Sequence, residues 1–407
     1  MTTQTAPQGS TAISRIPMYT PEFAADPHAA YERMRNLHGS LVPVLLDPDV
    51  PATLVIGYQT AIRILHDQER FPADPRRWQE GNLSQTCPVR PMMEWRPNAL
   101  RSSGAEHARY RSSNVYSLNG VDLHALRRVV QDVAGDLIAG LSRAGQADLI
   151  TQYAFPLAFR VLNTMLGCPP EIGERVAIGM AKIFEGIDAE AGNAMLAAAL
   201  AELVMMKKER PADDITSRML AHQSALEVPE MVHQLACVYG AGIEPQQNLI
   251  ANALLLILTD ERFSGDVLDG NLTVRDALDE VLYQDPPMAN FGISYPPYPV
   301  QIDGVWLPAE QPVVISFSAC NNDPAIASDQ RAGNRAHLAW SVGPHACPAQ
   351  SAAYLIAQAA IDQILDALPE MELAVPEKDL VWRPGPFARA LAALPVTIPG
   401  PAPIPSR

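Results

Sequence analysis

The residues best placed for chemistry lie near the C-terminus of this 407-residue chain. Trp340, Gly343, His345, Cys347 and Ala349 follow one another at short, regular intervals inside the stretch 337–350. An apolar ribbon runs into the tryptophan. A glycine comes three residues later, a histidine two after that, and then one cysteine. From Ser351 to Leu368 the pattern turns helical. Cys347 is therefore expected on a constrained turn at a helix N-terminus, where the helix dipole and free N–H groups favour a thiolate. A thiolate held in this way suits an axial ligand to haem iron. The plainer alternative is a buried structural cysteine.

Two other groups of residues belong with it. His107 and Arg111 stand four apart in a helical run opened by Gly104, so they share one face. The longest helical pattern, Pro229–Thr259, spans roughly 45 Å at about 1.5 Å per residue, and its centre reads Ala241-Gly242-Ile243-Glu244-Pro245-Gln246-Gln247-Asn248. A proline there removes its own N–H, crowds the carbonyl of Ala241 and is expected to kink the helix.

Trp340-x-x-Gly343-x-His345-x-Cys347-x-Ala349 resembles the haem-binding loop of the cytochrome P-450 family, Phe-x-x-Gly-x-Arg/His-x-Cys-x-Gly/Ala, with Trp for Phe and Ala for the last Gly. The resemblance extends over nearly the whole chain. It implies a mainly α fold with small β-sheets, a triangular helical bundle around a buried haem b. Cys347 would be the metal ligand, His107 and Arg111 would donate to a haem propionate, and His345 would be a further cofactor contact. Trp340, Gly343, Ala241 and Gly242 would be further cofactor contacts. In the family the central helix reads Ala-Gly-x-Asp/Glu-Thr-Thr. The small pair Ala241 and Gly242 would let haem and oxygen approach the backbone, and Glu244 matches the acid. Pro245 stands where the proton-delivering threonine is expected, which leaves Gln246 or a water to substitute.

Two further departures stand out. The family's Glu-x-x-Arg pattern is represented by Glu280, but Tyr283 replaces the arginine, with Arg331 or Arg335 as candidates to supply the charge. A minority of actinobacterial-type members share this feature. The family's propionate arginine near Ile293–Ser294 is also missing.

The elements around these residues follow from pattern. A helix over 26–35 precedes a hairpin, 41–44 and 52–56, turned by Asp47-Pro48-Asp49, and then a helix over 58–66. Residues 76–103 read as an irregular loop rich in Met and Trp. Met92, Met93 and Trp95 either cover a substrate or plug the core. Helices follow over 123–141, 149–166, 171–184 and 194–208. The last two, around a loop at 186–192, would form the family's moving lid. A helix over 273–284, extended segments at 299–302, 305–307 and 312–318, and a final strand at 394–398 complete the pattern. Ile293, Ser294 and Phe387 are candidate substrate contacts, Phe387 either pointing into the pocket or stapling a terminal hairpin.

No linker divides the chain, so residues 18–398 are expected to form one domain between a mobile 1–17 and a proline-rich 399–407 tail. A balance of 30 basic against 45 acidic residues, net −15, argues against nucleic acid and anionic membrane surfaces as partners. Five scattered cysteines fit a reducing, cytoplasmic compartment. The longest apolar run, 253–258, is far short of a membrane span. Zinc spacing, Gly-x-Ser-x-Gly and phosphate-loop motifs are absent from the sequence.

The resemblance implies a haem-thiolate oxidoreductase of secondary metabolism. Electrons would come from an external ferredoxin and ferredoxin reductase, and the protein is expected to act as a monomer on a small molecule. With the distal alcohol gone, one expectation is C–C or C–N coupling of an indole-containing cyclic dipeptide. The alternatives are conventional hydroxylation of a small aromatic or apolar metabolite, and a haem-binding regulatory protein with little turnover.

Overall fold

The computed structural model describes residues 14–185, 188–263, 272–326 and 334–399. In chain order the elements are β1 (Ile16–Pro17), α1 (Pro21–Ala25), α2 (Pro27–His38), β2 (Leu41–Asp47), β3 (Val50–Val55), α3 (Tyr58–His66), α4 (Arg76–Asn82), α5 (Arg90–Met93), α6 (Gly104–Asn119), α7 (Leu123–Leu141) and β4 (Gln146–Asp148). A π-helical turn over Ile150–Ala154 leads into α8 (Phe155–Leu166), followed by α9 (Pro170–Glu185), α10 (Ala189–Glu209), α11 (Ile215–Ala221) and α12 (Val228–Thr259). Then come α13 (Val274–Gln284), β5 (Gly292–Ser294), β6 (Val300–Ile302), β7 (Val305–Leu307), β8 (Val313–Ile315), α14 (Phe317–Asn321), α15 (Gln350–Ala367), β9 (Glu372–Leu373) and β10 (Pro395–Thr397).

The strands form a five-stranded sheet in the order β1-β2-β3-β8-β5, a three-stranded sheet β4-β10-β9, and the hairpin β6-β7. Helices make up the rest. At the centre runs α12, whose span Leu249–Leu255 is buried and packs with α7, α8, α13 and α15 in the largest apolar cluster. A capping box between Glu227 and Glu230 starts α12, and the helix continues through Pro245.

Several expected boundaries shift, each for a local reason. Ile16 and Pro17 pair parallel with Val44 and Leu45, so the ordered chain begins before Met18, which is fully buried. Pro17 sits at a sheet edge, where a missing N–H costs little. Residues 1–13 and 400–407 lie outside the described part. The stretch 76–103 is not irregular throughout. Pro75 precedes α4 and Pro91 opens α5, and these turns drive Trp78, Val89 and Met93 into the core beside β2 and β3. The pattern over 149–166 holds a widened turn before Pro156, because a proline cannot donate to the ordinary helical ladder.

α10 begins at Ala189, five residues before the expected start, with Asp188 in the left-handed conformation at φ 56°. Packing draws Gly192 into the helix. A Cβ on Gly179 would lie 2.9 Å from the Gly192 carbonyl, and the reverse holds equally. By length and composition α10 is the one helix among the described residues apolar enough to cross a membrane, with 28% of its apolar window buried. The expected extended run over 312–318 is strand only to Ile315, because Ser316 caps α14 through the Ala319 N–H.

Candidate active site

The cysteine loop is built by two left-handed residues. Ser341 has φ 57° and Gly343 φ 74°. A Cβ at Gly343 would stand 2.5 Å from the Leu65 carbonyl of α3, so that position admits only glycine. The turn folds back so that the Cys347 N–H donates to the Trp340 carbonyl at 2.7 Å and the Ala346 N–H donates to Gly343 at 3.0 Å. Trp340 packs against the cluster shared by α12 and α15. Cys347 thus precedes α15 by three residues, as its spacing predicts.

The electrostatics differ from the expectation. Burial pushes the Cys347 thiol up, and this outweighs the Ala349 N–H and the Arg111 charge that pull it down. In the protein alone the thiol is favoured; a bound metal ion would be what deprotonates it.

α6 delivers the basic pair. The Arg111 guanidinium donates to the Ala346 carbonyl, one residue before the cysteine. His107 is buried and its ring lies 4.0 Å from the His345 ring. Burial first, and then the neighbouring His107, Arg111 and Arg101, hold His345 down to about 3. The Nε2 atoms of both histidines are buried without a partner. Two tilted imidazoles in contact, each with an unsatisfied buried nitrogen, fit an anionic group such as a haem propionate. α6 is tied to the start of α12 by Arg109, which pairs with both oxygens of Glu230 at 2.5 and 2.9 Å, while Tyr110 also donates to Glu230.

On α12 the small residues divide differently from the sequence reading. Ala241 is exposed although it lies mid-helix, and a Cβ on Gly240 would meet nothing within 4 Å. Gly242 instead faces α8, where a Cβ would press on Leu162 Cδ2 at 3.0 Å. The open face is therefore formed by Gly240 and Ala241, and Gly242 serves helix packing. Sequence alone does not separate three consecutive small residues by direction. Glu244 pairs with Arg383 of the C-terminal turn at 2.5 Å. Pro245 is half-buried, and Gln246 is buried with its Nε2 unpartnered.

The expected substrate contacts are sorted by burial. Met93 is fully buried in the core, and Met92 packs against the same cluster. Ile293 and Phe387 are core residues as well. Phe387 stands edge-on to Phe291 at 5.5 Å within that core cluster. Trp95 stays half-buried beneath Arg76, its Nε1 without a partner, and the Ser294 hydroxyl is likewise unpartnered.

The altered Glu-x-x-Arg site has a counterpart one residue away. Asp279 pairs with Arg335 at 2.9 Å, and Tyr354 of α15 donates to the same carboxylate at 2.9 Å. Tyr283 meets the ring of His337 edge-on at 5.2 Å. Arg331 lies outside the described residues, among which no group of three His, Cys, Asp or Glu could hold a metal ion.

No family model matches the chain. It is 29% identical over 394 residues to the cytochrome P-450 monooxygenase PikC of Streptomyces venezuelae, covering 92% of each chain. It is 26% identical to 2-hydroxy-5-methyl-1-naphthoate 7-hydroxylase of Streptomyces carzinostaticus, covering 92% of this chain and 96% of that one. Among solved structures, the myxobacterial cytochrome P-450 CYP267B1 in complex with myristic acid aligns with a TM-score of 0.83 at 26% identity, covering 94% of this chain and 99% of that one. Such likenesses run the length of the molecule and meet a cysteine loop and basic pair of the matching pattern, and together they support a bacterial cytochrome P-450 and, with it, a haem-thiolate oxidoreductase.

Proposed function

We propose that Cys347 is the axial thiolate of haem b, with His107, Arg111 and His345 on the propionate side and Gly240 and Ala241 on the open face of α12. The observation that carries this reading is convergence. Arg111 is bonded to the carbonyl preceding Cys347, and the buried His107 and His345 nitrogens beside it lack partners. Bound haem would supply the one-electron and oxygen chemistry, drawing electrons from an external ferredoxin and its reductase.

The chain's own residues do the rest. The Ser341–Gly343 turn fixes the sulfur, and Arg111 braces the loop from α6. Pro245 has no N–H, so the Ala241 carbonyl lacks its ordinary helical donor and can accept from a water or a substrate O–H or N–H on the open face. Gln246 offers a second polar group at that level of the helix.

Within this chemistry we infer oxidative C–C or C–N coupling of an aromatic, indole-containing cyclic dipeptide. Pro245 supports this as a departure from the oxygen-transferring pattern: coupling removes one hydrogen from each partner and transfers no oxygen atom, and with two electrons and two protons from outside both atoms of O2 leave as water. Hydroxylation is the second reading, favoured by the relative named as a naphthoate hydroxylase. The reduced carbon monoxide spectrum tests the ligand: a thiolate-type Soret band in the wild type, lost in Cys347→Ser, is expected. A wild type without that band overturns the proposal. Turnover with a tryptophan-containing cyclic dipeptide tests the reaction. A product mass of two substrates less two hydrogens supports coupling, and a gain of one oxygen supports hydroxylation.

A further inference from the structure

Arg101 lies in the loop just before α6 and is 4% exposed. Among the described residues its guanidinium makes no hydrogen bond and no ion pair. Its one close partner is the face of Phe291, 5.3 Å from the ring centroid. The other deeply buried arginine behaves differently: Arg389 reaches Asp285 at 3.1 Å and stacks on Trp382. Taking an unpaired cation out of water is costly, and a single aromatic face returns only part of that cost. Such a group persists where a ligand completes it.

The fold holds the position firmly. Asn98 Oδ1 accepts from the backbone N–H groups of Leu100 and Arg101, and the Ser102 hydroxyl donates to the Asn98 carbonyl. Gln234 of α12 clamps the same loop, donating to the Pro97 carbonyl and accepting from the Ala99 N–H. Glu94, earlier in the same stretch of chain, is engaged by Arg90 and Arg96. Three more buried donors lack partners on the elements around Arg101: the Tyr295 and Ser294 hydroxyls and Trp95 Nε1. The Arg101 charge reaches both His345 of the cysteine loop and Cys237 of α12.

We infer that Arg101 is an anchor for a ligand carboxylate, gripped by the planar guanidinium fork and by the neighbouring hydroxyls. The carboxylate has two possible sources, a haem propionate or an acidic substrate. The first would make Arg101 the replacement for the arginine missing at Ile293–Ser294. The inference rests on the haem-binding reading for its first source and not for its second.

The test uses the full-length haem-loaded protein and the variants Arg101→Gln and Arg101→Lys. Haem release to excess apomyoglobin is one readout. Tryptophan fluorescence titration with 3-phenylpropionic acid and its methyl ester is the other, and it needs no haem signal. At least tenfold faster haem release from Arg101→Gln, with partial recovery in Arg101→Lys, assigns the propionate. An acid affinity that falls at least tenfold in Arg101→Gln, with the ester unchanged and haem release unchanged, assigns a substrate. Unchanged release together with an unchanged acid-to-ester ratio overturns the anchor. If Arg101→Gln does not fold, equal wild-type affinity for acid and ester together with wild-type haem release from Arg101→Lys overturns it equally. A wild type lacking the thiolate-type band refutes the haem reading alone, and the fluorescence titration still decides the anchor.

Discussion

Replacing Pro245 by threonine would restore the alcohol that the central helix lacks, and its energetic effect can be worked from position. Pro245 lies eighteen residues into a helix that runs from Val228 to Thr259, so its missing N–H falls in the interior. Interior proline costs about 3 kcal/mol relative to alanine, and threonine about 0.6 kcal/mol. Losing the proline's restraint on the unfolded chain returns about 0.4–1 kcal/mol of the difference. A net stabilisation of about 1–2 kcal/mol remains. With an unfolding entropy of about 2.1 cal/mol/K per residue over 407 residues, Tm rises by only about 1–2 °C. The assay pairs calorimetry of the haem-loaded protein with product masses from the same preparation. The expected outcome is a small rise in Tm, unchanged haem content, and a shift in the ratio of oxygenated to coupled product. A fall in Tm, or loss of haem, would refute the argument that residue 245 acts at the open face rather than in packing.

Other outcomes follow from the same geometry. Glu230→Gln should lower stability by about 1–2 kcal/mol at neutral pH, a figure kept small because Arg109 is 38% exposed. Arg109 holds the Glu230 carboxyl down at about 2, below its ordinary 4.5, so this stability is present above pH 4.5 and lost as pH falls towards 2. The wild type and the variant should converge across that window in chemical denaturation. Gly343→Ala should lose haem binding, read from the carbon monoxide spectrum, because the added Cβ meets the Leu65 carbonyl at 2.5 Å. Gly240→Ala should leave Tm unchanged or raise it by the roughly 0.5–1 kcal/mol that a helical glycine forfeits, while altering ligand-induced spin shifts. Gly242→Ala, pressed on Leu162, should show no such stability gain.

The sequence made some of this site legible and concealed the rest for physical reasons. Cys347 before α15, and His107 with Arg111 on one face of α6, are matters of spacing, and helical periodicity fixes spacing. The same holds for α12, whose length and apolar run leave few other readings. Direction is another matter. Gly240, Ala241 and Gly242 are alike in composition, and only the placement of α8 decides which of them faces open space. Met93 and Phe387 have the size and polarity of pocket residues, and the sheet behind them turned both into core. Asp188 and Gly192 read as loop because their types favour turns, whereas close approach between α9 and α10 needed the glycine inside a helix. Arg101 carried no signal, since one arginine in a polar loop resembles a solvated charge until its burial is known.

The Asp279–Arg335–Tyr354 cluster changes what a missing arginine means. One step along α13 rotates a side chain by about 100°, so Asp279 presents its carboxyl to another side of the helix than Glu280 does. The cation then arrives from the segment that leads into the cysteine loop, and a tyrosine of α15 joins it. In this arrangement the clasp joins three separate stretches of chain, where an i to i+3 pair would join two positions on one helix. The cluster thus couples the approach to Cys347 and the helix that leaves it to a single carboxylate. An arginine at 283 would add a cation beside His337, at a buried position whose neighbours are arranged around a neutral ring.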